Sequence, residues 1–268
     1  MWLIRVLAKM CKPILRRTLY RPGRVAKILF GPSKGLRYRI FPEFGLAHLY
    51  GAWEPYVHRS ILEHVRAGSV VYDLGANYGL HTLLFAKLAG STGCVFAFEP
   101  MPRIREALVE NIALNGFANV VVSSMAISDR VGNEQYVIGE HDGAGHIKSG
   151  GRGDSSPVKV EQTFTVSVTT IDQFVRDGNA PPTFVKIDVE GSEGAVLRGA
   201  TDVILKYRPI LLIELHTPEQ DVLVGQELLS HRYSAIRVET GELVRNLTVG
   251  WPDPYGIWGM VLATPMRD

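Results

Sequence analysis

Cysteine is nearly absent from this chain: Cys11 and Cys94 are the only two. They cannot build a disulfide framework, and such sparse use fits a reducing compartment. Long apolar runs are missing too, since nothing approaches the about 18 residues of a membrane-spanning helix, so no spanning segment is expected. The start, Met1 to Met10, is apolar enough to suggest a leader, but Arg5, Lys9 and Lys12 interrupt it and no small-residue cleavage site follows. It reads as mature sequence. Acidic residues are absent from the first 42 positions, which hold eleven Lys and Arg, whereas the remainder holds 18 basic and 27 acidic residues. The formal net charge of +2 therefore conceals a strongly basic arm on an acidic body.

The 268 residues suffice for one large domain with an appendage. We place the appendage at residues 1–53 and the main domain at 54–268. In the arm, Leu3, Leu7, Met10 and Ile14 repeat at helical spacing with basic residues on the other faces. Such a helix, covering residues 1–20, either lies on an anionic membrane as a peripheral contact or packs on its own domain. The expected location is cytoplasmic, with the inner membrane face as the peripheral alternative. Residues 27–41, centred on Gly31-Pro32-Ser33-Lys34-Gly35, predict a small hairpin.

Residues 69–98 organise the rest. Residues 69–74 and 94–98 read as buried strands, and 77–88 carries helical apolar spacing, which makes one βαβ unit. Asp73-Leu74-Gly75-Ala76-Asn77-Tyr78-Gly79 joins the first strand to the helix, and Glu99 follows the second strand. Glycines there let a ligand approach backbone at a helix N-terminus, and a carboxylate at Glu99 can accept both hydroxyls of a ribose. The pattern describes a nucleoside site. It lacks the middle glycine of a dinucleotide fingerprint, and Asp73 would repel a pyrophosphate. A ligand that is cationic at that point, such as the methionine part of S-adenosylmethionine, fits better. The candidate cofactor residues are Asp73, Gly75, Ala76, Asn77, Gly79, Glu99 and Pro100, with Ser124 and Ala126 placed to receive an adenine.

Downstream, helices are expected at 54–65, 104–114, 170–175, 195–207 and 219–230. Strands are expected at 120–123, 184–189, 209–215, 233–238 and 257–263, with an antiparallel pair at 134–138 and 163–168 around a glycine-rich loop, 141–156. Strands alternating with helices imply a mainly parallel sheet covered on both faces. Ligands of such sheets sit beyond the strand carboxyl ends, where Lys186-Ile187-Asp188-Val189-Glu190 and Glu214-Leu215-His216 fall. Asp188, Glu190 and His216 are the candidate catalytic residues, since removing a hydroxyl proton needs a carboxylate or an imidazole. Structural readings stand beside these: a helix cap for Asp188, a Lys186 partner for Glu190, a helix start for His216, packing for Glu193. Asp188, Glu190 and Glu214 also form an oxygen cluster that a divalent metal could use, but Lys186 offers the compensating charge and no metal site is assigned.

Val71-Tyr72-Asp73-Leu74-Gly75-Ala76-Asn77-Tyr78-Gly79, Phe98-Glu99-Pro100, Ala126-Ile127-Ser128-Asp129, Thr170-Ile171-Asp172 and Lys186-Ile187-Asp188-Val189-Glu190-Gly191-Ser192-Glu193 together resemble the motif series of FkbM-type S-adenosylmethionine-dependent methyltransferases. The resemblance runs from about Glu54 to His216. It implies the class I methyltransferase Rossmann-like fold, with a seven-stranded mainly parallel sheet, helices on both faces and an antiparallel closing strand. It also implies methylation of a hydroxyl on a sugar, glycolipid or related natural product, and leaves the acceptor and the oligomeric state open. An RNA methyltransferase using the basic arm, a nucleoside-binding scaffold without catalysis and a nicotinamide oxidoreductase are the alternatives. Nucleic acid is the less expected partner, because no aromatic stacking series accompanies the basic charges.

Overall fold

The computed structural model describes residues 23–41, 47–51, 53–139, 145–148, 160–247 and 259–266. The arm helix expected within residues 1–20 lies outside them. In chain order the elements are β1 (Val25–Lys27), β2 (Arg37–Arg39), α1 (Pro55–His64), β3 (Val70–Leu74), α2 (Leu80–Ala89), β4 (Cys94–Phe98), α3 (Pro102–Asn115), β5 (Val120–Ser123) and β6 (Ala126–Ile127). Then come β7 (Gly132–Gly139), β8 (Gly145–Ile147), β9 (Val160–Thr169), α4 (Ile171–Arg176), β10 (Phe184–Ile187), α5 (Glu193–Arg198) and α6 (Thr201–Tyr207). The chain finishes with β11 (Ile210–Glu214), α7 (Pro218–Ser230), β12 (Tyr233–Arg237) and β13 (Met260–Pro265).

Seven strands form one sheet in the order β12-β13-β11-β10-β3-β4-β5, with β13 antiparallel to both its neighbours and the remaining pairs parallel. The core strands are apolar throughout because both faces are covered. Alternation assigns each side chain to a face: Tyr72, Leu74, Phe96, Phe98, Val185 and Ile187 pack with Phe174 and α5–α7, whereas Val71, Val95 and Phe184 pack with α1 and α2. The sheet grows from β3 in both directions, towards β4 and β5 on one side and β10 and β11 on the other. The crevice at that point, beyond the strand carboxyl ends, is where an open α/β sheet accepts a ligand.

Two expectations are corrected. Residues 195–207 are not one helix: α5 ends at Arg198 and α6 starts at Thr201. A Cβ on Gly199 would stand 2.1 Å from the Ser128 carbonyl oxygen, and both Asp172 carboxylate oxygens accept from the Asp202 and Val203 amides at the new helix start. Tertiary contacts thus break a helix that spacing alone would continue. The loop 141–156 is also not wholly irregular, since residues 145–147 form β8 against β7. The expected pair β7 and β9, with β6 and β8, makes a second sheet in the order β6-β9-β7-β8.

The expected hairpin is present as β1 and β2. Its Ile28, Leu36 and Tyr38 share a hydrophobic cluster with Leu80, Leu83, Ile104 and Leu108. Two asparagines of α3 fasten it: Asn115 Oδ1 accepts from the Arg37 amide at 2.7 Å and Asn111 Oδ1 from the Arg39 amide at 2.9 Å. Asn111 also donates to the Tyr78 carbonyl at 2.9 Å, which links the hairpin to the loop after β3.

Candidate active site

The loop after β3 is held rigidly. The amides of Gly75 and Ala76 both donate to the Phe98 carbonyl. Gly75 has φ +75°, and a Cβ there would lie 1.8 Å from the Asp188 carbonyl oxygen, so only glycine allows the ends of β3 and β10 to close together. Asn77 takes φ +52°, with its own Oδ1 accepting from the Tyr78 amide at 2.7 Å. Glu99, buried at the end of β4, accepts from the Asn77 amide through one oxygen and from the Met101 amide through the other, each at 2.9 Å. Burial pushes its pKa up to about 7 against those two bonds.

A cleft opens above this loop, lined by Gly75, Asn77, Glu99, Pro100 and Ala126 among the expected cofactor residues, and by Asp188 and Glu190. Four other candidates are not on its wall. Asp73 does not face a ligand as expected. It is fully buried beneath the loop, with Oδ2 accepting from the Thr82 hydroxyl at 2.5 Å and Oδ1 4.0 Å from Lys186 Nζ. Ala76 and Gly79 shape the turn behind the cleft, Gly79 donating to the Ala76 carbonyl. Ser124 is exposed on an outer surface with Arg105 and Glu106, and Met125 takes the inner position. Pattern reading missed Met125, Tyr136 and Ile147, the last two supplied by the second sheet. Tyr136 donates to the Gly145 carbonyl at 2.6 Å, which fixes β8 over the cleft. The alternation of β7 was legible, but nothing local said that it roofs a pocket.

Asp188, Glu190 and His216 converge. His216 Nε2 lies 3.6 Å from Asp188 Oδ1 and 3.5 Å from Glu190 Oε2. Lys186 Nζ donates to Asp188 Oδ2 at 2.8 Å, so the lysine partners Asp188 and Asp73 rather than Glu190. The register explains this, because Lys186 stands opposite Asp73 across β10 and β3. Strand alternation does not carry Glu190 to the site, since β10 ends at Ile187 and Glu190 turns inward at φ +56°. Left-handed conformations cost a non-glycine residue about 1–3 kcal/mol and cluster at functional sites. Asp188 is not a helix cap: Ser192 holds that position for α5. Glu193 is fully buried, and its Oε1 accepts from the Gly191 amide at 2.9 Å and lies 3.0 Å from His216 Nδ1.

Electrostatics follow from this packing. Burial opposes charge on Lys186, but Asp188 and Asp73 hold its ammonium above the ordinary range. Burial also opposes charge on Asp188, yet Lys186 and then His216 keep it below the usual carboxylate value. His216 is raised to about 9: burial works against protonation, and the Glu193 hydrogen bond with Glu190 and Asp188 outweighs it. Glu214 is pushed up to about 8 by burial and then by Asp188. One donor atom each from Asp188, Glu214 and His216 lies within 4.8 Å of the others. Of the histidines in the expected loop, His146 lies in β8 opposite Val137, and His141 is outside the described residues.

The seven-stranded α/β sheet thus carries a buried acid after its second core strand and a titratable cluster after its fourth and fifth, all beyond the strand carboxyl ends. The chain belongs to the FkbM methyltransferase family, whose domain matches residues 73–240. It is 29% identical over 161 residues to the hexuronic acid methyltransferase AglP of Haloferax volcanii, covering 60% of this chain and 61% of that protein. It is 32% identical over 176 residues to the 31-O-demethyl-FK506 methyltransferase FkbM of Streptomyces tacrolimicus, covering 56% of this chain and 67% of that protein. Among solved structures, the methyltransferase FkbM of Methylobacillus flagellatus is 18% identical with a TM-score of 0.47, over 81% of this chain and 52% of that one.

Proposed function

We propose that the chain is an S-adenosylmethionine-dependent O-methyltransferase acting on a hydroxyl of a sugar, a glycolipid or a related natural product. The observation that carries the reading is the meeting of Asp188, Glu190 and His216 at the edge of the cleft that Glu99 floors. The donor set fits the cofactor. Glu99 suits the ribose hydroxyls, Ile104, Met125 and Ile127 suit an apolar base, and Asp188 and Glu190 suit a cationic centre. When bound, S-adenosylmethionine supplies an electrophilic methyl group on a sulfonium.

The chain's own residues then perform the rest. One of Asp188, Glu190 and His216 takes the single proton that the acceptor hydroxyl loses as its oxygen becomes bonded to carbon. Lys186 keeps Asp188 ionised, and the roof formed by Tyr136 and Ile147 keeps water from the cleft. We assign the cluster to proton transfer rather than to a metal, so the rate should survive EDTA. The two sequence relatives act on hexuronic acid and on 31-O-demethyl-FK506, which supports a polyhydroxylated small molecule as acceptor class and does not favour RNA or a non-catalytic role. The basic arm, residues 1–20, is proposed to hold the protein at an anionic membrane surface where a glycolipid acceptor is presented.

The test is transfer of radiolabelled methyl from S-adenosylmethionine to lipid-linked and free hexosides and hexuronosides, the latter carrying both hydroxyls and a carboxylate. Alkali-stable label, as expected of an ether, supports the reading, and alkali-labile label would point to carboxylate methylation instead.

A further inference from the structure

Glu193 drew no catalytic reading from its place in the sequence, yet it is fully buried and its Oε1 lies 3.0 Å from one nitrogen of His216. The other nitrogen, Nε2, faces Asp188 Oδ1 and Glu190 Oε2 at 3.6 and 3.5 Å. Those two residues also line the cleft, so they are shared between the imidazole and whatever cation the cleft receives. We infer that Glu193 is a positioning residue that fixes the Nδ1–H of His216, and that His216 releases its Nε2 proton to solvent when a sulfonium is bound beside Asp188 and Glu190. The base is thereby formed only with the methyl donor in place, and this rests on the cofactor reading above.

The proton balance is simple. The imidazolium carries protons on both nitrogens. On loss of the Nε2 proton to buffer, the Nδ1–H remains hydrogen-bonded to Glu193, and Nε2 presents a lone pair at the edge of the cleft. The groups facing His216 are Glu193 from α5, Asp188 and Glu190 from the segment after β10, and Glu214 at the end of β11, which His216 follows, with Lys186 behind Asp188. The raised affinity of His216 for its proton, up to about 9, means that the free protein enters neutral solution with the imidazole charged. A new positive charge within about 4–6 Å of such a group lowers its pKa by about 1–3 units.

Calorimetry of the full chain tests this without any acceptor. S-adenosylmethionine and S-adenosylhomocysteine are titrated at pH 8 in two buffers of different ionisation enthalpy, and the proton count is taken from the difference in heats. The two ligands share the ribose, so proton loss from Glu99 is common to both and cancels between them. The wild-type protein should release about half a proton or more in excess with the sulfonium ligand. His216→Gln should abolish that excess. Glu193→Gln should shrink it, because the imidazole is then already neutral. Equal proton release by the two ligands in the wild type, or an unchanged excess in His216→Gln, would overturn the inference, the latter assigning the proton to Glu214. Absence of binding by both ligands would overturn the cofactor reading itself, a result separate from a failed proton count.

Discussion

Glu99 shows how one side chain links burial to recognition. With its pKa raised to about 7, it changes charge around neutrality, and ribose hydroxyls donating to it, as proposed, would favour the ionised form. The complex then binds fewer protons than the free protein, so cofactor affinity should rise from pH 6 to pH 8. Glu99→Ala should lose about 1–3 kcal/mol of binding energy and most of that pH dependence. Titration calorimetry of a folded variant with unchanged affinity would remove Glu99 from the site. Asp188→Asn, Glu190→Gln and His216→Gln keep shape and remove the proton acceptor. Loss of the true base should lower turnover by about a hundredfold or more with cofactor affinity little changed. That these three residues meet was legible, because acids and a histidine at strand ends are conspicuous. The role of Asp73 was not: a loop acid reads as ligand-facing until the register sets it opposite Lys186.

At the scale of elements, the site depends on β3 and β10 ending side by side. The Asp188 amide donates to the Leu74 carbonyl at 3.1 Å, and Gly75 fills the only space left beside it. Gly75→Ala combines a left-handed φ with a backbone clash and should cost about 3 kcal/mol of stability in urea unfolding. Tyr136→Phe removes the bond to Gly145 that pins β8 and should cost about 0.5–1.5 kcal/mol while speeding cofactor dissociation in stopped-flow measurements. The helices and core strands were readable from periodicity. The break between α5 and α6 was not, because it arises from Gly199 meeting Ser128 and from Asp172 capping α6. β8 was hidden for a related reason: three residues in a glycine-rich stretch carry no rhythm of their own, and only pairing with β7 orders them. Motifs such as Thr170-Ile171-Asp172 and Ser128-Asp129 turn out to staple the fold: Thr170 caps α4 and Asp129 pairs with Arg198 at 3.1 Å.

For the whole molecule, the sequence pattern disclosed the parallel sheet and the crevice, since alternating apolar strands and helices admit few other arrangements, and the family resemblance supplied the antiparallel closing strand. The hairpin's attachment was not disclosed, because it rests on Asn111 and Asn115 of a distant helix. No helix among the described residues is long and apolar enough to cross a membrane. Under the proposed membrane role of the basic arm, deletion of residues 1–21 should leave cofactor affinity within about twofold while weakening sedimentation with anionic vesicles, each basic residue near a surface being worth about 1 kcal/mol. Equal sedimentation of the deleted chain would refute the membrane role. If the cleft above Glu99 is built for S-adenosylmethionine, titration calorimetry of the purified chain should show saturable binding of S-adenosylmethionine and S-adenosylhomocysteine, weakened in Glu99→Ala, and no binding of NAD. Saturable binding of NAD with neither adenosyl ligand bound would contradict that reading.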